Sequence, residues 1–80
     1  MATKEDVQEA VNLWEKGEVV PGKATTIQNQ ISCDMCFTPA IVDGKTLGGN
    51  WANMCTKHFF KLGVGLGVGR GQVLIWKRDV

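Results

Sequence analysis

The chain has 80 residues, 44% of them hydrophobic and 21% charged, and carries a net charge of +1. That is one small domain, too apolar for a disordered segment and too close to neutrality for charge alone to imply nucleic acid. No apolar run approaches the roughly 20 residues needed to span a bilayer, so no membrane role is expected.

A domain of this size gains only a few kcal/mol from its core, and a metal or disulfide staple is often recruited. Three cysteines make an odd number, which a pure disulfide framework would leave unbalanced. The opening "MATKEDVQEAVNLW" is charged and amphipathic, without the apolar central region of a secretory signal. A reducing cytoplasm is the expected compartment. Charge is distributed unevenly: three lysines face five acids up to residue 30, and six cations face three acids from residue 31 onward.

Residues 1–17 read as an amphipathic helix. Val7, Ala10, Val11 and Trp14 recur at helical spacing, Thr3 suits the N-cap, acids occupy the first turn, and Gly17 suits the stop. Trp14 either packs against the rest of the domain or anchors a partner. Residues 18–32 form a linker or strand, with a turn at Pro21-Gly22 and loose alternation from Ala24 to Ile31.

Residues 33–62 hold every cysteine and the single histidine of the chain. Cys33 and Cys36 form a CxxC pair, and Cys55 and His58 a CxxH pair, with eighteen residues between the pairs. A tight turn can aim the first two sulfurs at one ion, and positions i and i+3 of a helix share a face. Three thiolates and an imidazole are a standard structural set for one tetrahedral zinc, and a complete set leaves no open position for catalysis. Between the pairs, Asp43-Gly44 separates two short segments of strand character and predicts the turn of a hairpin. From about Asn53 to Leu62 a short helix is expected, capped by Asn53 or Thr56 and ended by a left-handed Gly63.

Glycine then occupies positions 63, 65, 67, 69 and 71. In an extended strand this leaves one bare face, with Val64, Leu66, Val68 and Arg70 on the other. An aromatic ring such as Trp51 or Phe59, an anion beside Arg70, or a partner chain could approach that face. The segment lacks the Gly-Lys-Ser/Thr of a phosphate-binding loop and the strand-then-helix context of a dinucleotide fingerprint. The closing "QVLIWKR" reads as a strand with Val73 and Ile75 on one side and Leu74 and Trp76 on the other. Val7, Val11 and Trp14 could cover one side, leaving Lys77 and Arg78 exposed. An exposed Trp76 would be a hot spot or a base-stacking platform.

The order of CxxC turn, hairpin and helix carrying the second ligand pair resembles treble-clef zinc domains over residues 31–62. Glycine often follows the second cysteine in that family, whereas this chain has Phe37. The stretch "DGKTLGGNWANMCTKHFFKLGVGLGVGRGQ", behind a CxxC pair, is similar to short zinc-binding proteins of bacteriophages and prophages over roughly residues 33–72. The resemblances imply a small zinc-stabilised α+β domain of treble-clef type, with an N-terminal helix and a C-terminal strand added. They also imply a phage-type factor in a bacterial cytoplasm, and name no activity.

No enzyme is expected, because the lone histidine is a ligand and no nucleophile-base constellation accompanies it. Treble-clef nucleases need further histidines, which this chain lacks. The favoured reading is a structural zinc module that docks on a host or phage protein, with Trp14 as an anchor. The alternative is a nucleic-acid-binding finger using Lys57, Lys61, Arg70, Lys77 and Arg78, with Trp76 as a stacking surface.

Overall fold

In the computed structural model, residues 2–76 are described; Lys77 and Arg78 lie outside the described residues. The first helix, α1 (Lys4–Lys16), starts where its sequence predicts. Thr3 Oγ1 accepts from the Asp6 N–H at 3.1 Å, and the Asp6 carboxylate accepts from the Thr3 N–H at 2.9 Å, a reciprocal capping box. Gly17 ends the helix at φ 65°, and its N–H reaches the Leu13 and Trp14 carbonyls.

The remaining elements are β1 (Ala24–Ile27), β2 (Val42–Lys45), β3 (Trp51–Met54), α2 (Thr56–Leu62) and β4 (Gly71–Trp76). They build one sheet in the order β1-β4-β2-β3, with β1 parallel to β4 and the other two pairings antiparallel. The last segment of sheet therefore lies in the middle. Strands flanked on both sides and covered on both faces read as unbroken apolar runs, and Val73, Leu74 and Ile75 are all buried. Ala24, Val42, Met54 and Val73 align across the sheet through their registers and form a row of core residues. Phe59 of α2, Leu66 and Ala10 of α1 complete that core.

Three expectations are corrected. Asp43-Gly44 is not the hairpin turn: both residues lie within β2, and Thr46–Asn50 makes the reversal, with the Thr46 N–H bonded to the Asn50 carbonyl at 2.9 Å. Gly44 instead faces Gly71 across the β2/β4 pairing, where a Cβ would lie 3.0 Å from the Arg70 carbonyl oxygen and 3.2 Å from the Gly71 Cα. The second helix is also shorter than expected, since residues 51–54 are strand and Cys55 is the N-cap. Gly63, which follows it, is extended at φ −74°. Glycine is demanded there by crowding, because a Cβ would sit 2.5 Å from the Phe59 ring.

The alternating glycines do not form an extended strand. Gly65, Gly67 and Gly69 take positive φ, and the chain loops so that Leu66 is buried while Val68 is 90% exposed. No bare strand face is therefore presented to an aromatic ring; the Phe59 ring lies against Gly63 alone, and the Arg70 side chain lies beside Gly65 and Gly67.

The Gly44/Gly71 contact makes a direct prediction. A Cβ at Gly71 would lie 2.8 Å from the Gly65 carbonyl oxygen, so Gly71→Ala should cost about 1–3 kcal/mol in urea unfolding. Gly48→Ala, whose Cβ meets only the Asn50 and Thr46 side chains, should stay within about 0.5 kcal/mol of the parent.

Candidate metal centre

The first pair of donors is shaped by a tight turn. Ser32 and Pro39 form an isolated antiparallel bridge, the Cys33 N–H bonds to the Thr38 carbonyl at 2.8 Å, and the Cys36 N–H approaches the Cys33 carbonyl at 3.4 Å. This folds residues 33–38 into a knuckle with both sulfurs on its inner side. No non-glycine residue takes positive φ among the described residues, so Phe37 is accommodated without strain and stands fully exposed.

The second pair follows directly from β3. Met54 is the last residue of that strand and is buried in the core, so Cys55 emerges at a fixed point. Cys55 occupies the N-cap of α2 but makes no side-chain cap bond, which leaves its sulfur available. His58 lies in the first turn of the same helix, and Phe59 anchors that turn in the core.

The four donors converge. His58 Nδ1 lies 3.5 Å from Cys33 Sγ, 3.7 Å from Cys36 Sγ and 3.2 Å from Cys55 Sγ, and Cys36 Sγ lies 3.8 Å from Cys55 Sγ. All four ligand atoms fall within 4.8 Å of one another, and the cysteines form no disulfide. Cys33, Cys36, Cys55 and His58 thus form a cluster that could bind one metal ion.

The thiols are electrostatically unequal. Thr38, first through its hydroxyl and then through its backbone N–H, holds the Cys36 thiol down at about 6. Burial pushes the Cys55 thiol up. Burial, together with the nearby Asp34 charge, also raises Asp43.

Sequence reasoning missed Asp34 as a site residue. Its N–H donates to the Asn53 carbonyl at 2.8 Å, and its carboxylate accepts from the Asn53 N–H at 2.8 Å. An aspartate inside a CxxC turn is the available signal, since short acids commonly bond to nearby backbone there. Phe37 and Trp51, which is 50% exposed, were also not singled out as surface residues.

The other predicted residues lie apart from the donors. Trp14 and Trp76 are half-buried and pack edge to face at 5.0 Å between centroids, joining the core from its border. Lys57 and Lys61 are exposed on α2. Arg70 is exposed and folds over the glycine loop, where a Cβ at Gly65 or Gly67 would lie 3.4 Å from its guanidinium. Among the described residues no helix is long and apolar enough to cross a membrane. Comparison with known protein families, curated proteins and solved structures finds no match to this chain.

A metal here must displace protons, because thiolate and neutral imidazole are the binding forms. At pH 7.5 Cys36 is already ionised, whereas Cys55, raised by burial, gives up its proton on binding. At least one proton should therefore leave per ion, and affinity should fall by about tenfold or more for each pH unit lost. Calorimetric titration with zinc in two buffers of different ionisation enthalpy checks this; equal heats would contradict it.

Proposed function

We propose that Cys33, Cys36, Cys55 and His58 hold one zinc ion as a structural centre, and that the domain built around it is a protein-docking module. The convergence of the four donors carries the reading. Bonds of about 2.3 Å to sulfur and about 2.0–2.1 Å to nitrogen give tetrahedral edges of about 3.8 Å between sulfurs and about 3.6 Å from sulfur to nitrogen. The three separations from His58 Nδ1 to the sulfurs, 3.2–3.7 Å, and the Cys36–Cys55 sulfur separation of 3.8 Å lie close to those edges, and all four atoms fall within 4.8 Å of one another. Soft thiolates disfavour magnesium and calcium, and four protein ligands leave no position for a reactive water. The reading accordingly assigns no catalysis.

The order of knuckle, β2/β3 hairpin and ligand-bearing α2 supports a treble-clef-like description of residues 31–62. A phage-type factor in a bacterial cytoplasm rests on the sequence resemblance alone. Docking on a protein is supported by apolar side chains held out of a small core: Phe37 at 100% exposure, Val68 at 90% and Trp51 at 50%. A groove of about 320 Å³ between α1 and α2, lined by Lys4, Val7, Gln8, Thr56, Lys57 and Phe60, offers a further apolar surface.

Nucleic acid is the second reading, favoured by the exposure of Lys57, Lys61 and Arg70. Phosphate contacts weaken steeply with salt, and apolar docking does not. Native mass spectrometry of protein purified without added metal, alone and with short DNA at two salt concentrations, separates the readings. One zinc per chain without DNA adducts is expected. Salt-sensitive adducts would transfer the function to nucleic acid, and protein without zinc would remove the structural-zinc reading.

A further inference from the structure

We propose that Asp34 is a positioning residue that locks the two half-sites together and thereby sets how slowly the metal is released, an inference that rests on the zinc reading above. The two ligand pairs come from separate pieces of chain. Each holds its own shape, the knuckle through the Cys33 N–H bond to Thr38 and the helix start through the Phe59 N–H bond to the Cys55 carbonyl at 2.8 Å. The β2/β3 pairing, extended by the Ile41 N–H bond to the Met54 carbonyl at 2.9 Å, brings the two pieces together, and a contact between the knuckle itself and β3 would fix them more closely.

Asp34 lies inside the CxxC turn, and Asn53 lies two residues before Cys55. Among the described residues β3 is the last strand of the sheet, so its outer backbone groups have no further strand there to pair with. Asp34 takes both of these groups on Asn53: its N–H donates to the carbonyl at 2.8 Å, and its Oδ2 accepts from the N–H at 2.8 Å. One residue thus imitates a strand pairing, with its side chain standing in for the missing carbonyl. The bond to Oδ2 is charge-assisted, the stronger class of such contacts. Two bonds at one residue also fix orientation as well as distance, which holds Cys33 and Cys36 opposite Cys55 and His58. Groups hydrogen-bonded to the ligands themselves are worth about 10–100-fold in metal affinity, and a clamp on the chain that carries the ligands acts through the same positioning.

Zinc-loaded protein challenged with excess chelator gives the release rate directly. Asp34→Ala should release zinc about 10–100-fold faster than the parent, and Asp34→Asn, which keeps an acceptor oxygen, should restore a rate within about threefold of the parent. Thr3→Ala, which loses the α1 capping box far along the chain, serves as a control for general destabilisation. Equal acceleration by Thr3→Ala, or release from Asp34→Ala at the parent rate, would overturn the role of Asp34 while leaving the metal site intact. A parent that takes up no zinc would overturn both. Should Asp34→Ala not fold, amide exchange of the zinc-loaded parent decides: a slowly exchanging Asn53 N–H is expected, and exchange at the rate of an open edge amide contradicts the clamp.

Discussion

Three thiol sulfurs and an imidazole nitrogen drawn within 4.8 Å of one another are a constraint on the whole chain, because the residues that bring them there also build the core. Met54 precedes Cys55 and Phe59 follows His58, and both apolar side chains are fully buried. A shift of Cys55 or His58 therefore moves a core residue. A bound cation would compensate the charge that the thiols acquire when they give up their protons to it. Structural zinc supplies about 10–16 kcal/mol of apparent free energy in zinc-finger peptides, comparable to the whole stability of an ordinary domain. In the reading proposed here, the ion and the core are one cooperative unit.

The second dependence is steric. β4 runs between β1 and β2 in an open sheet, and the approach of Gly71 to Gly44 lets the glycine loop lie against that pairing. The loop then returns to Phe59 through Gly63, whose carbonyl also accepts the Ala2 N–H at 2.7 Å. The N-terminal helix is thus tied to the end of the ligand-bearing helix. Trp14 and Trp76 close the far border of the same core.

Much of this was legible in the sequence where the signal is local. The capping residues of α1, the ligand spacing and the apolar run of β4 each act over a few residues, and these three are present as the sequence predicts. What was not legible depends on contacts distant in sequence. Asp43-Gly44 has the composition of a turn, yet its glycine serves a close approach to Gly71, 27 positions further on. Gly63 has the position of a left-handed stop, yet it answers to the Phe59 ring. Alternating glycines have the period of a strand, but a residue without Cβ gives no indication of which sign of φ it will take. Asp34 read as one surface charge because its partner, Asn53, lies on another element.

The dependence of the fold on the ion is tested most directly by recording amide spectra of protein stripped of metal while zinc is added stepwise. The account predicts a poorly dispersed spectrum for the stripped chain, with dispersion across residues 31–62 completed at one equivalent. A stripped chain whose spectrum already matches that of the loaded protein would contradict it.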